Sequence, residues 1–246
     1  MKSLARSIPA AFILLLLCTA TFATPTPAET FKDKQALGQW LAHFYQTPEP
    51  ELVSTAILSA SKLGMFEGQA RSFAYFGFIA GVMSKYPDRA PEIAHHLVSL
   101  PPDEQPALVT GLWYSSYPGR AELLKSLSES MPVYRSTILY LASNDSKPVF
   151  TLPVEDGGWV LDVLWGFFMA TGDERAVARI TDALQWLGDP DQQKAAAANA
   201  AKLSLTIQGK LHPPVLAIVK TESQLSGLDP KIRAALSDIQ LDAAKK

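Results

Sequence analysis

Asp162 is the residue of this chain best placed to do chemistry. It sits in Trp159-Val160-Leu161-Asp162-Val163-Leu164-Trp165. A carboxyl group held among apolar side chains keeps its proton to higher pH than a solvated one, unless a cation pairs with it. Such a group is a candidate acid catalyst. A glycan-cleaving enzyme of the cell envelope would use it with a second carboxylate about 5–9 Å away, and Glu155 and Asp156 are the other acids to inspect. The plainer reading puts Asp162 on the thin polar face of a buried helix, or against an arginine, as buried carboxylates usually are.

Other reactive constellations are missing. His95 and His96 are adjacent, so on a helix they point about 100° apart and cannot share a metal as an i, i+4 pair would. His212 begins a different helix. There is no Gly-x-Ser-x-Gly elbow, no His-Glu-x-x-His helix and no glycine-rich phosphate loop. Gly157 and Gly158 read as ordinary turn residues. The sequence therefore assigns no catalytic residue, no cofactor and no metal. Three arginines remain unexplained. Arg89, Arg120 and Arg175 each fall in the first turn of an expected helix, where the macrodipole disfavours a cation by a few tenths of a kcal/mol. Either each guanidinium caps a carbonyl or carboxylate of the adjacent hairpin, or together they form a rim that grips an acidic partner. Repetition in every unit favours the structural role.

The elements that must position these groups come from a repeat. Ser84-Lys85-Tyr86-Pro87-Asp88-Arg89-Ala90 returns as Ser115-Ser116-Tyr117-Pro118-Gly119-Arg120-Ala121. Aligning 75–101 with 106–132 gives seven identities, four of them around the Tyr-Pro-x-Arg-Ala junction. Such a spacing, with one turn signal in its middle, is what a stacked helical hairpin leaves in sequence. Helical periodicity runs through nearly the whole chain, and glycines at 64, 172, 188, 209 and 227 sit where helices should end. The stretch Phe73–Met83 is apolar on every face, so it predicts a helix buried all round, with glycines that let a neighbour approach closely. The expected fold is all-α, with stacked antiparallel hairpins in a solenoid-like superhelix of about 11–12 helices. A hairpin-repeat region spans 31–143, a loop 144–158, and a further helical region of the same domain 159–246. Val149 to Pro153 could form a short extended piece inside that loop. The run of hairpins over 35–240 resembles a group of exported bacterial helical-repeat proteins of unassigned function. The resemblance implies a fold and a compartment, and no activity.

The N-terminus points to export. Lys2 and Arg6 precede an apolar run from Ala10 to Leu17, and Thr21-Phe22-Ala23 places small residues where a signal peptidase reads. Residues 1–23 are expected to be a signal peptide and 24–30 a Pro/Thr linker. The apolar run is shorter than the roughly 20 residues a span requires. Cleavage would remove the single cysteine, Cys18, and shift the formal charge from −2 to −4 by taking away Lys2 and Arg6. A mildly acidic chain without a basic cluster argues against nucleic acid or an anionic membrane as partner. The sequence thus reads as a periplasmic or secreted module that binds or scaffolds an envelope protein or peptide. The alternative is a small all-helical envelope hydrolase using paired carboxylates. Long loops on rigid scaffolds often carry function, so the partner surface is expected at Glu155, Asp156 and Trp159.

Overall fold

Helical periodicity and turn residues divide the chain into twelve α-helices and no strand among the residues that a computed structural model describes, 31–66 and 69–245. The expected signal segment, Cys18 and the 24–30 linker lie outside the described residues. The helices are α1 Lys34–His43, α2 Val53–Lys62, α3 Gln69–Lys85, α4 Ala90–Leu97, α5 Gln105–Tyr114, α6 Arg120–Ser128, α7 Arg135–Ala142, α8 Gly158–Thr171, α9 Glu174–Asp182, α10 Gln192–Leu211, α11 Pro213–Ser223 and α12 Pro230–Ala244. No helix among the described residues is long and apolar enough to cross a membrane.

Short polar side chains start several of these helices. The carboxylates of Asp33, Asp173, Asp191 and Asp229 accept N–H bonds from the first turns of α1, α9, α10 and α12, which satisfies donors that the helix itself leaves unpaired. Gly172 and Gly227 end α8 and the segment after α11 with φ of 70° and 77°, a conformation that side-chain-bearing residues avoid. Gly209 does not end a helix. It is buried inside α10, where a Cβ would lie 3.4 Å from Ala243 of α12; α10 continues to Leu211 and stops before Pro213-Pro214, whose rings and missing N–H groups break the ladder. The 144–158 connection likewise departs from expectation. Val149–Thr151 and Val154–Asp156 are single 3-10 turns rather than an extended piece. The half-buried Arg179 of α9 donates to the carbonyls of Phe150 at 3.0 Å and Leu152 at 3.2 Å, so the loop is folded down onto α9.

The two repeat windows share one pattern of helix, proline turn and helix: α3 to α4 through Pro87–Arg89, and α5 to α6 through Pro118-Gly119. Their junctions touch, because the Ser116 amide donates to Ser84 Oγ at 2.9 Å. The closest packing, however, joins helices far apart in sequence. α3 and α8 run in the same direction, with Phe73 against Trp159 at one end and Lys85 Nζ bonded to the Thr171 carbonyl at the other. A Cβ on Gly77 would lie 1.9 Å from the Val163 carbonyl oxygen, and one on Gly166 would lie 2.0 Å from that of Ala74. Only glycine permits this backbone approach. Residues 75–83 of α3 are all buried, and α8 is buried from Val160 to Ala170 with Asp162 as the single break. In a strict linear stack each hairpin would touch only its sequence neighbours; the α3–α8 contact reaches past four intervening helices.

Candidate functional site

The break at Asp162 opens onto the main cavity of the described residues. Its volume is about 640 Å³, and it lies between α1, α3 and α8, with Gln208 of α10 at its edge. Its origin is a deficit of side-chain volume. Gly38 and Ala42 of α1 face Ala74 of α3 and Gly166 of α8; the space beside Gly38 is open, while Gly166 is kept small by the α3 backbone packed against it. The surrounding walls are Leu41, Met65, Tyr75, Phe78, Trp165 and Met169. Two thioethers among aromatic rings make an adaptable apolar lining, and the volume suits a small organic molecule.

Asp162 is the only acid among the described lining residues, and Lys34 is the only cation. Lys34 is exposed at the start of α1 and forms no ion pair with Asp162. No hydrogen bond or ion pair reaches Asp162 from any described residue, so neither the arginine partner nor another cation has materialised. Burial raises its pKa from 3.8 to about 6, because a carboxylate loses hydration there and gains no compensating charge. At pH 7 about nine-tenths of such a group is ionised, and at pH 5 about one-tenth. The neighbouring Trp165 also carries a buried indole N–H with no acceptor, at a cost of about 1–3 kcal/mol for an unpaired donor.

The three residues expected to meet a partner take different places. Glu155 and Asp156 form the 3-10 turn before α8, with the Glu155 carbonyl 3.4 Å from the Gln193 amide. Trp159 lies one helical turn before Asp162 and packs against Phe73 with ring centroids 5.4 Å apart and the planes tilted by 45°, so its ring closes the α3–α8 crossing. None of the three lines the main cavity. His95 and His96 are both exposed on α4, and the described residues hold no group of three or more candidate metal ligands.

Two juxtapositions had no signal in the sequence. His212, fully buried at the α10–α11 junction, lies with its ring 5.0 Å from that of His43, and its Nδ1 is 3.2 Å from the Tyr45 hydroxyl. Burial first, and the nearby His43 second, lower its pKa below 6.5. Separately, Asp182 and Glu222 share a cleft of about 270 Å³. Burial and then the Asp182 charge raise the Glu222 pKa, while Arg179 holds Asp182 in an ion pair. Both arrangements join residues tens of positions apart, and periodicity carries no information about such meetings. A comparison with protein families, curated proteins and solved structures finds no match to this chain.

Proposed function

We propose that the protein is an exported helical binding module whose main cavity takes a small organic cation: a protonated amine on an apolar body. The observation that carries this reading is Asp162, without a partner among the described residues, in an apolar, aromatic-lined cavity. An isolated carboxylate there is unfavourable, and a ligand ammonium relieves that cost by supplying the missing counter-charge. Tyr75, Phe78 and Trp165 add ring faces that attract a cation when solvent is excluded, and Met65 and Met169 accommodate the apolar part. The N-terminal signal pattern supports export, and the hairpin repeat supports a scaffold whose purpose is to hold a shaped surface. Paired-carboxylate hydrolysis draws no support from this cavity, since a lone acid cannot act as both proton donor and nucleophile or base.

The test is a calorimetric titration with hexylammonium, hexanol and hexanoate at pH 7.5. Hexylammonium should bind at least tenfold more tightly than hexanol, hexanoate more weakly than either, and Asp162→Asn should erase the ammonium preference while leaving hexanol binding in place. Gly38→Leu should abolish binding of all three, because a Cβ at Gly38 meets nothing within 4 Å and the larger side chain would occupy the cavity. Equal binding of hexanoate and hexylammonium, or an ammonium preference that survives Asp162→Asn, would overturn the reading.

A further inference from the structure

The three repeated arginines do not share one fate. Arg89 reaches Glu92 at 3.1 Å and Arg175 reaches Asp173 at 2.6 Å, so in these two the guanidinium finds its carboxylate within its own helix start. Arg120 finds none. Among the described residues its one bond is a marginal 3.5 Å contact from Nη1 to the Ser115 carbonyl, although it is half-buried in the first turn of α6. A cation there is disfavoured by both desolvation and the helix macrodipole, and among the described residues only the Ser115 carbonyl contact sets against that cost.

Arg120 lines a second cleft of about 390 Å³, separate from the main cavity and on the opposite flank of α8. Arg175 lines it too, held over the Phe150 ring at 4.5 Å and fixed by two hydrogen bonds from Nε and Nη2 to Asp173. Ser116 and Ser146 line the same space and their hydroxyls are not consumed by hydrogen bonds within the described protein, whereas Ser84 and Ser115 donate to the Ala80 and Leu112 carbonyls. Phe150 and Phe167, ring centroids 5.2 Å apart, supply an apolar wall. One guanidinium without a carboxylate partner among the described residues, a second one pre-oriented and two serines with unused hydroxyls line a cleft with aromatic sides.

We infer that this cleft binds an oxyanion, a carboxylate or a phosphate, carried on a flat apolar body. The Arg120 fork takes the anion in the bidentate manner that guanidinium geometry favours. Ser116 and Ser146 donate to its remaining oxygens, and the aryl or acyl part lies along Phe150 and Phe167. Arg175, already neutralised by Asp173, orients the anion more than it binds it. This site stands independently of the ligand assigned to the main cavity.

The experiment is calorimetry on the full mature chain with phenyl phosphate, phenylacetate, inorganic phosphate and 2-phenylethanol. Phenyl phosphate or phenylacetate should bind, and the tighter of the two identifies the oxyanion. Inorganic phosphate and the neutral alcohol should each bind at least tenfold more weakly than that probe. Arg120→Gln should weaken it by tenfold or more, Arg120→Lys by less, and Arg175→Gln by only a few-fold. Thermal midpoints of the two Arg120 variants should stay with the parent. Unchanged affinity in Arg120→Gln would overturn the inference, as would the absence of any saturable binding of either aromatic anion. A large drop in thermal midpoint for both Arg120→Gln and Arg120→Lys would also overturn it, by showing Arg120 to be a brace for the 115–119 turn.

Discussion

Replacing Asp162 by asparagine should make the protein more stable at neutral pH. The substitution keeps the size and shape of the side chain, removes its charge and turns one acceptor oxygen into an NH2 donor. Moving a carboxyl from 3.8 to about 6 corresponds to a ceiling of just under 3 kcal/mol of ionisation cost at pH 7. Asp162 keeps part of its surface in water, so solvent screening brings the expected gain down to about 1–2 kcal/mol. For a chain of this size that is roughly 2–8 °C in Tm. The sign follows from proton binding. Below pH 3.8 both folded and unfolded chains hold the proton and the cost is absent. Between pH 3.8 and about 6 the folded chain binds more protons than the unfolded one, so stability falls as pH rises, and above that window the cost is complete. Urea denaturation of parent and variant at pH 7 and pH 3 measures it directly: a higher midpoint for the variant at pH 7 and no difference at pH 3. Equal midpoints at pH 7, or an advantage that persists at pH 3, would show that Asp162 has a partner or that packing, not charge, governs the site. A residue that costs stability without a partner is what selection for binding leaves behind, and the same measurement therefore bears on the proposed ligand.

Two further predictions concern glycine and histidine. Gly38→Ala should stabilise by up to about 1 kcal/mol, since it lies in helix α1 with open space beside it and alanine is the better helix former. Gly77→Ala and Gly166→Ala should destabilise by about 2–4 kcal/mol, because a Cβ within 2.0 Å of a neighbouring carbonyl forces α3 and α8 apart against overpacking costs; thermal melts showing the same sign at all three positions would refute the packing argument. His212 should titrate below pH 6.5 by NMR, and His43→Gln should raise that midpoint by removing the neighbouring charge. Its contribution to stability is lost as pH falls through 6.5 toward its folded value.

Helix existence was legible along the chain because it depends on local quantities. The apolar run Phe73–Met83 announced a helix buried on every face, and its glycines announced a close neighbour. Tyr-Pro-x-Arg-Ala marked two equivalent turns. The identity of the neighbour was not legible. Nothing in 77–81 names Val163 or Ala170, and the α3–α8 pairing emerges only when the intervening chain folds back. The same limit explains the arginines. Three matching positions suggested one shared role, yet Glu92 and Asp173 lie within reach of two of them and no carboxylate within reach of Arg120.

Sequence by itself determined the all-helical class, most of the turn positions and the apolar neighbours of Asp162 along α8, since each follows from residues within a few positions of one another. Tertiary structure decided the rest. Whether Asp162 was paired depended on which side chains α1, α3 and α10 bring to its cavity, and among the described residues they brought glycine, alanine, rings and one cation, Lys34, that forms no ion pair with it. Gly209 illustrates the reverse case. A glycine near a helix end looks like a stop, but α12 packs against it and the helix runs on to a proline pair. Cavities arise where distant small residues meet, and volume left empty between helices is a property of their arrangement that no local pattern encodes.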